Sequence, residues 1–362
     1  MNIFIMALEP LETRYTGQWF NGLPKLIQKT AQERGIKACV HNIAGEQTSV
    51  APTEGAFLDF FATNIWKNSQ VNKLVGFFQS GLVKPGDKVL FTDAWHTGVT
   101  QVRYMSELMG IPVEIHSMWH AGSYDPQDFL GRLIQDKRWT YNTERGLFYA
   151  SHFNYFATKF HCDLFINTLM RSKEPTERRV ARDITVISGQ PHSALIEALK
   201  PFQGMQKERM VLFPHRLAPE KQVEIFRDLA LHMPETKFVI CQETKLTKDE
   251  YHDLLGRSSM VFSANLQETL GISAMEGVLV QSMPCLPDRL SYSEMYDPRF
   301  LYPSKWTESW DAYEANRDLL VSRMNAMLDS YDPNIQALQV QKATLMDSYL
   351  SCNPMLDRLL AN

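Results

Sequence analysis

The chain has 362 residues, of which 44% are hydrophobic and 22% are charged, and its formal net charge at pH 7 is −4. This length accommodates two domains of ordinary size. The negative charge argues against a protein that coats nucleic acid nonspecifically, because such binding depends on neutralised phosphates. No apolar run approaches the roughly 20 residues that a membrane span requires. The apolar start of the chain lacks a basic region and a small-residue cleavage site, so it predicts a first strand and not a signal peptide.

The cysteines are dispersed and lack a C-x-x-C spacing. An odd, scattered set is typical of a reducing compartment and argues against a disulfide framework or a structural zinc site. We therefore expect a cytoplasmic protein with no structural metal. The positions are Cys39, Cys162, Cys241, Cys285 and Cys352.

Strands and helices alternate along the first half of the chain, which predicts a parallel sheet covered by helices on both faces. Pro24 suits the first turn of a helix, so we expect that helix to begin there. The segment Phe153–Asn167 mixes helical and strand patterns. The predicted strands are Ile3–Leu8, Ala38–Ile43, Lys88–Thr92, Pro112–His116 and Ile184–Ser188, and the predicted helices are Pro24–Arg34 and Val99–Met109.

A second alternating series follows a break at Gly189-Gln190-Pro191. We expect an N-terminal domain at 1–190, a C-terminal domain at 205–333, and helices at 334–362 that pack back towards the N-terminal domain. Two parallel-sheet domains in tandem bind ligands in the cleft between them, at the carboxyl ends of their strands. The predicted strands are Met210–Phe213, Lys237–Cys241, Met260–Ala264 and Pro284–Pro287, and the helices are Pro219–Leu231, Lys248–Leu255 and Ala274–Gln281.

Two glutamates, Glu268 and Glu276, flank the predicted start of the helix that begins near Ser273. A helix N-terminus offers unpaired N–H donors and a partial positive charge, which favour phosphate. The flanking carboxylates can accept hydrogen bonds from sugar hydroxyls. The pair therefore predicts a site for a molecule that carries both phosphate and sugar.

Two cations, Arg216 and Lys221, frame the start of another predicted helix. A guanidinium and an ammonium that converge on a helix N-terminus form a diphosphate site. The alternative interpretation is a solvent-facing Lys221 and a local carboxylate pair for Arg216. The presence of the Glu268–Glu276 pair favours the diphosphate site.

The spacing Arg-x4-Lys, followed about 45 residues later by Glu-x7-Glu, resembles the C-terminal donor domain of family-4 retaining glycosyltransferases of the GT-B fold. The resemblance covers about Met210–Tyr302. The run Cys285–Tyr292 and the context Pro214-His215-Arg216 are similar to the tRNA-queuosine mannosyltransferase branch. The N-terminal half is less similar: Glu9-Pro10 and a strand-end histidine fit, whereas Leu11–Trp19 does not. The resemblance implies two Rossmann-like parallel-sheet domains with an interdomain cleft.

The resemblance also implies a role for each matched residue. Arg216 and Lys221 would hold the donor diphosphate, Glu268 the transferred sugar, and Glu276 the nucleotide ribose. The backbone of Leu270, Gly271 and Ile272 would face sugar and phosphate, and Gln242 and Glu243 would contact the base. It implies retention of anomeric configuration, front-face attack, and a leaving diphosphate that helps to remove the acceptor proton. The chain has no Asp-x-Asp motif in a suitable loop, so we expect no metal and no cofactor besides a nucleotide-sugar co-substrate, with UDP as the nucleotide.

Candidate acceptor residues follow strands of the N-terminal half. The pairs Trp95-His96 and Trp119-His120 combine an aromatic surface with an imidazole, which suits a sugar or a nucleobase. The resemblance implies an active-site histidine that faces the transferred sugar, and His120 fits it best. His116 is interpreted as structural. We expect His96 and Asp93 to orient the acceptor or to act as a base, and the alternative for Asp93 or Thr97 is a helix cap. The remaining candidates lie in the loop Leu8–Trp19, which is otherwise an ordinary surface loop, and they are Glu9, Arg14 and Tyr15.

The branch resemblance points to a hydroxyl on a modified nucleobase as the acceptor. The leading hypothesis is 5-hydroxymethylcytosine in bacteriophage DNA, with glucosyl or arabinosyl transfer in the host cytoplasm. The alternatives are queuosine tRNA, a saccharide, lipid or small-molecule acceptor, and a non-catalytic nucleotide-sugar binding module. The basic stretch Arg171–Arg182 either contacts nucleic acid or is a solvated surface. We expect no membrane association and no obligate protein partner.

Overall fold

The computed structural model describes residues 1–11, 15–48, 59–170 and 175–361. The chain divides into two compact units. The N-terminal unit comprises Met1–Ala157, Cys162–Pro191 and Cys352–Asn362, and the C-terminal unit comprises Thr158–His161 and His192–Ser351. Of the predicted helical tail, the last part therefore belongs to the N-terminal unit, and the part before it belongs to the C-terminal unit.

The described part of the N-terminal unit contains a sheet of six parallel strands in the order β2-β1-β3-β4-β5-β6. Its central strands are near-continuous apolar runs, as expected for a parallel sheet that helices cover on both faces. Ile3, Phe4, Ile5 and Met6, for example, are at most 1% exposed. The strands are β1 (Asn2–Met6), β2 (Cys39–Ile43), β3 (Lys88–Phe91), β4 (Glu114–Trp119), β5 (Phe153–Phe156) and β6 (Thr185–Ile187).

The described part of the C-terminal unit contains a second parallel sheet, with five strands in the order β11-β10-β9-β7-β8. Both units are therefore Rossmann-like, as predicted. The strands are β7 (Glu208–Phe213), β8 (Lys237–Ile240), β9 (Ser258–Phe262), β10 (Met283–Pro287) and β11 (Leu301–Tyr302).

Helices connect the strands in both units. No helix among the described residues is long and apolar enough to cross a membrane. In chain order the helices are α1 (Tyr15–Glu33), α2 (Phe60–Gln79), α3 (Gly98–Leu108), α4 (Phe129–Leu133), α5 (Lys137–Ala150), α6 (Lys159–Leu169), α7 (Pro175–Asp183), α8 (Ser193–Leu199), α9 (Val223–His232), α10 (Lys248–Arg257), α11 (Ile272–Leu279), α12 (Tyr292–Met295), α13 (Trp310–Asp329), α14 (Tyr331–Ser348) and α15 (Asn353–Leu359).

Helix α1 begins at Tyr15, so the prediction of a start at Pro24 was wrong. Pro24 lies in the interior of the helix, where its missing N–H leaves the carbonyl of Phe20 without its usual donor. The Asn42 side chain donates to that carbonyl at 3.0 Å. The buried stripe of α1, with Trp19, Leu23 and Ile27 at four-residue spacing, also stabilises the helix against the proline.

Helix α2 was not predicted, although it determines the surroundings of several candidate acceptor residues. Its buried positions have four-residue spacing, but Phe60, Phe61 and Ile65 are exposed and obscure that pattern. Asp59 caps the helix by accepting hydrogen bonds from two first-turn amides. The Trp66 indole then fixes α2 to the end of β1 by donating to the carbonyl of Ala7 at 2.8 Å.

Helix α15 packs within the N-terminal unit against β1. Met355, Leu356 and Leu359 share a buried cluster with Ile3 and Ile5. In the same unit, the Lys88 ammonium donates to the carbonyls of Arg358 and Ala361, at 3.3 and 2.7 Å, close to the C-terminal end of this helix. A cation in this position satisfies carbonyls that lack a partner within the helix.

Candidate functional site

The loop that follows β9 leads into α11 through Gly271, which has a left-handed φ of 80°. Gly271 occupies the N-cap position and has no capping side chain. By helix geometry, the amides of Ile272 and Ser273 have no acceptor within α11. The start of α11 therefore offers N–H donors and the positive end of the helix dipole, as the sequence analysis expected.

Glu268 lies in this loop, and several donors surround its carboxylate. The Lys221 ammonium and the Asn265 amide nitrogen each lie 3.3 Å from Oε2, and the amide of Thr269 donates to Oε1 at 3.2 Å. Burial alone would raise the pKa of Glu268, but the charge of Lys221, the hydrogen bond from its ammonium and the backbone N–H of Gly271 hold it below the usual value. Glu268 is therefore an ionised acceptor, with a side chain that is 19% exposed.

Lys221 lies in a short 3₁₀ turn, Pro219–Lys221, that precedes α9. The sequence predicted that this helix starts at Pro219, whereas α9 begins at Val223 after a left-handed Gln222. Lys221 is 5% exposed and donates to the carbonyl of Gln267 at 2.6 Å. Its ammonium therefore points to the loop after β9, and it is not the solvent-facing lysine of the alternative interpretation.

Arg216 follows β7 and forms an ion pair with Glu220 at 2.7 Å. The Glu220 side chain is fully buried, whereas that of Arg216 is 38% exposed. The local carboxylate pair that the sequence analysis gave as an alternative is thus present in this structure.

Glu276 lies in the second turn of α11, and its Oε2 accepts a hydrogen bond from the Tyr251 hydroxyl at 2.7 Å. Burial raises the pKa of Glu276 to about 7. Lys207 fixes the ends of the two helices that carry these residues, because its ammonium donates to the carbonyls of Gly256 on α10 and Val280 after α11, at 2.6 and 2.7 Å.

The turn Cys241–Glu243 follows β8 and contains the two residues expected to contact the base. Gln242 and Glu243 are exposed, and Glu243 forms an ion pair with Arg227 at 2.5 Å. Burial, and then the charge of Glu276, raises the pKa of Cys241 to about 12.

His215 is a site residue that the sequence analysis used only as context. It is 4% exposed. Nε2 donates to the carbonyl of Phe262 at 3.1 Å, and Nδ1 accepts from the Ser273 hydroxyl at 3.3 Å. Burial, reinforced by Lys221, lowers the pKa of His215 to about 4, so the ring is neutral. Its position directly after β7 was the signal that could have identified it.

Arg289 is a second residue whose role was missed, although it lies in the Cys285–Tyr292 run. Its guanidinium donates to four backbone carbonyls. Two belong to the loop after β9 and two to the segment after β11, which fixes one loop to the other. The acceptors are Ala264, Asn265, Ser304 and Thr307.

In the N-terminal unit, His120 and Tyr15 lie together. Nε2 of His120 donates to the carbonyl of Thr92 at 2.7 Å, and in the neutral ring Nδ1 therefore accepts from the Tyr15 hydroxyl at 3.3 Å. Trp19 packs beside the imidazole, with ring centroids 5.4 Å apart. His120 is thus an oriented imidazole at the carboxyl ends of β3 and β4.

The structure separates the other residues of the two Trp-His pairs. His96 is 3% exposed. Its Nδ1 accepts from Gly98 at 2.9 Å, its Nε2 bonds Gln70 at 3.2 Å, and burial lowers its pKa to about 3. Trp119 is 1% exposed and donates to Asn154. Both side chains are internal in this structure, because β4 extends to Trp119 and α2 covers His96, and their contact with an acceptor stays a prediction.

Asp93 and Trp95 follow β3, and each is held by a side chain from another element. Lys67 on α2 forms an ion pair with Asp93 at 2.7 Å. Burial would raise the pKa of Asp93, but Lys67 and His120 lower it. The Trp95 indole donates to Glu144 at 2.9 Å and remains partly exposed. Asp93 is thus an ionised carboxylate with an internal partner and is poorly suited to act as a base.

Of the candidates after β1, Glu9 is half-buried. Burial, and then the charge of Asp59, raises its pKa. Arg14, together with Arg171 and Lys173 of the basic stretch, lies outside the described residues.

Neither a protein-family model nor a curated protein matches the chain. Among solved structures, it is similar to the catalytic domain of starch synthase IV from Arabidopsis thaliana bound to ADP and acarbose, with 12% identity, a TM-score of 0.57, and 99% of this chain and 97% of that chain covered. For the lipopolysaccharide outer core galactosyltransferase WaaB, the identity is 11% and the TM-score is 0.58. That match covers 99% of this chain and 98% of that chain. For the pneumococcal O-GlcNAc transferase GtfA in complex with UDP and GlcNAc, the identity is 12% and the TM-score is 0.51. That match covers 81% of this chain and 59% of that chain. With its two parallel sheets, the chain therefore has the GT-B fold.

Proposed function

We propose that the chain is a retaining, metal-independent glycosyltransferase that moves a sugar from a UDP-sugar to a hydroxyl of a modified nucleobase. The C-terminal unit would bind the donor and the N-terminal unit the acceptor. The best candidate for the acceptor is 5-hydroxymethylcytosine in DNA. The observation that carries the proposal is the Lys221–Glu268 pair, 3.3 Å apart, beside the start of α11.

The chemistry of this site suits a nucleotide-sugar donor. Lys221, Arg216 and the first amides of α11 are positive groups, and they would stabilise the negative charge that builds up on a leaving diphosphate. Such groups take the place that a metal ion has in other transferases. Glu268 would accept hydrogen bonds from the transferred sugar, and Leu270, Gly271 and Ile272 would offer backbone contacts.

The nucleotide would extend towards Glu276 and the turn after β8. The Glu276 carboxylate suits the two hydroxyls of a ribose, and Gln242 and Glu243 are exposed on that turn, where they would contact the base. The nucleotides ADP and UDP in two of the similar solved structures support a nucleoside diphosphate in the same role here.

The acceptor proposal depends on the N-terminal unit. His120, Tyr15 and Trp95 supply an imidazole, a phenol and an indole at strand ends, which suit a planar base with polar edges. Arg178, Arg179 and Arg182 are exposed on α7 and would attract phosphates.

A panel of UDP- and GDP-sugars, combined with hydroxymethylated DNA, tRNA and free saccharides, tests the function. We expect mass spectrometry of the digested nucleosides to show one added hexosyl or pentosyl group on 5-hydroxymethyl-deoxycytidine. NMR of the product should show the anomeric configuration of the donor, and EDTA should not reduce the rate. Transfer to saccharides alone would contradict the proposal of a nucleobase acceptor. If the protein neither transfers the sugar nor hydrolyses the donor, the proposal that it is an enzyme is wrong.

Charge reversal tests whether α7 contributes to acceptor binding. Arg178→Glu with Arg179→Glu should weaken DNA binding at least tenfold, because each neutralised phosphate contributes to affinity. Lys25→Glu with Lys37→Glu is the matched control, since both lysines are exposed in the same unit. If both double variants lose the same amount of DNA affinity, the basic stretch is a solvated surface and does not contact the acceptor.

A further inference from the structure

The carboxylate of Glu276 on α11 has one occupied oxygen and one available oxygen. The Tyr251 hydroxyl on α10 donates to Oε2 at 2.7 Å. In the part of the chain that the structure describes, Oε1 accepts no hydrogen bond, and Glu276 is partly exposed. The contact therefore holds one carboxylate oxygen inside the unit and leaves the other for a ligand.

Tyr251 is the donor in this contact throughout the neutral pH range. Burial, and then the charge of Glu276, raises the pKa of the phenol well above its usual value, so the hydroxyl keeps its proton. A neutral hydroxyl that donates to a carboxylate forms a charge-assisted hydrogen bond, which is stronger than one between two neutral groups. The contact therefore favours the ionised form of Glu276 and orients it.

Both ends of α10 are anchored, which fixes the helix that carries Tyr251. At its start, the Thr247 hydroxyl accepts from the Glu250 amide at 3.3 Å, and the Glu250 carboxylate accepts from the Thr247 amide at 2.7 Å. This capping box stabilises the first turn, which contains Tyr251. At its end, Lys207 donates to the carbonyl of Gly256 at 2.6 Å and to a carbonyl after α11 at 2.7 Å. Helix α10 is therefore joined to α11 independently of the bond from Tyr251.

We propose that Tyr251 is a positioning residue for the nucleotide, which holds Oε2 of Glu276 so that Oε1 accepts a hydrogen bond from a ribose hydroxyl. The pair thereby selects a ribonucleoside diphosphate over its 2′-deoxy counterpart, because the loss of a hydroxyl leaves the carboxylate without that donor. This inference rests on the proposed function, since it deepens the ribose role of Glu276. The alternative is a pair that only fixes α10 to α11.

The ionisation of Glu276 makes this role measurable. Burial raises the pKa of Glu276 to about 7, although the hydrogen bond from Tyr251 and then the charge of Lys248 oppose that rise. A further ionisable group that interacts with Glu276 is the Cys241 thiol, which stays neutral because burial raises its pKa to about 12. Removal of the Tyr251 hydroxyl should therefore raise the pKa of Glu276 further, and nucleotide binding should then require a higher pH.

Calorimetry with UDP from about pH 6 to about pH 9 tests the inference. In Tyr251→Phe, the pH midpoint of the UDP affinity should lie about one unit or more above that of the wild type, since a hydrogen bond to a charged group is lost. Tyr313→Phe is the matched control, because its hydroxyl also donates to a carboxylate, that of Asp228, at 2.7 Å in the same unit. Its midpoint should equal that of the wild type. Each substitution removes one oxygen atom, and circular dichroism checks that both variants are folded.

The affinity ratio between UDP and 2′-deoxy-UDP is a second measurement, which a purely structural pair would not change. At about pH 8, the wild type should bind UDP about tenfold or more tightly than 2′-deoxy-UDP, since one hydrogen bond to a charged group is missing. In Tyr251→Phe this ratio should fall to about threefold or less, because a large fraction of the Glu276 carboxyls is then protonated. Tyr313→Phe should retain the wild-type ratio.

The possible outcomes separate the positioning role from the proposed function. If the midpoint in Tyr251→Phe equals that of the wild type, the pair is only a contact between α10 and α11, and the proposed function is unaffected. A loss of affinity that is equal for UDP and 2′-deoxy-UDP has the same meaning. A wild-type protein that binds no UDP would overturn the proposed UDP-sugar donor and the positioning role together.

Discussion

The Lys221 ammonium lies 3.3 Å from the Glu268 carboxylate, and 7% of the lysine side chain and 19% of the glutamate side chain are exposed. The two residues are 47 positions apart and lie in the loops after β7 and β9, which are adjacent strands. Neighbouring strands of a parallel sheet end at the same edge, so the loops that follow them meet. The pair therefore couples the proposed cation site to the proposed sugar site.

Replacement of Lys221 should affect catalysis and stability together. Lys221→Met should lower turnover about 10²–10³-fold, since a charge-stabilising group is lost. It should also destabilise the fold by about 3–5 kcal/mol, because Glu268 remains buried without its cation. Lys221→Met with Glu268→Gln should restore much of the stability and none of the turnover. Urea unfolding and donor turnover measure the two effects.

Lys237→Met is the control for that experiment, because this lysine is exposed in the same unit. Turnover in Lys221→Met that stays within threefold of Lys237→Met would contradict the role of the ammonium in catalysis.

Donor affinity should depend on the ionisation of Glu276. Burial raises its pKa to about 7, and the ionised carboxylate accepts hydrogen bonds from ribose hydroxyls more strongly than the protonated group does. We therefore expect the affinity for UDP, measured by calorimetry, to rise as the pH increases from about 6 to about 8. Glu276→Gln should bind more weakly and show a flat profile. A profile in the variant as steep as in the wild type would assign the titration to another group.

The same shift has the opposite effect on stability in the absence of nucleotide. A carboxyl whose folded pKa is raised from 4.5 to about 7 holds its proton longer in the folded state than in the unfolded state. Its contribution to stability is therefore fully present below about pH 4.5 and is lost as the pH rises to about 7. In Glu276→Gln, the thermal midpoint should not show this decrease between about pH 4.5 and about pH 7.

The sheet of the C-terminal unit could be predicted from the sequence, because its strands are buried apolar runs bounded by turns. The predicted Met260–Ala264 corresponds to β9 at Ser258–Phe262 and the predicted Lys237–Cys241 to β8 at Lys237–Ile240. His116 was also interpreted correctly as structural, since it is 0% exposed and bonds Tyr155 at 2.6 Å and Glu114 at 2.7 Å.

Other features could not be predicted, because they depend on contacts between distant segments. The exposed aromatic residues of α2 hid its buried stripe, so nothing indicated that Gln70 covers His96. The pattern Arg-x4-Lys does not show that Glu220 already occupies one side of Arg216. Arg289 could not be assigned, because a guanidinium that binds only carbonyls has no sequence signature.

Two neutral histidines should make the protein sensitive to acid. Burial lowers the pKa of His96 to about 3 and that of His215 to about 4. The unfolded chain takes up protons below about pH 6.5 while the folded chain does not, so stability falls as the pH falls through that value. At about pH 5, each of the two histidines should lower the free energy of unfolding by about 2 kcal/mol relative to its value at neutral pH.

The comparison of thermal midpoints at about pH 7 and about pH 5 tests this sensitivity. His96→Gln should lose less stability between the two conditions than the wild type does, although it is less stable at neutral pH. An acid-induced loss in His96→Gln as large as in the wild type would exclude His96 as its source.

Gly271 should tolerate no side chain, for two separable reasons. At a φ of 80° an alanine is strained by about 1–2 kcal/mol, and its Cβ would lie 2.8 Å from Cε1 of Tyr292. Gly146→Ala, in the interior of α5 with nothing within 4 Å of the added Cβ, should instead stabilise the protein by about 0.5–1 kcal/mol.

Adding Tyr292→Leu to Gly271→Ala should relieve the steric contact and leave the backbone strain. Urea unfolding should therefore show a partial recovery of stability relative to Tyr292→Leu alone. Nucleotide binding should not recover, because the strain shifts the first amides of α11. Full recovery of binding would show that Gly271 is required for packing against Tyr292 and not for the conformation of the helix start.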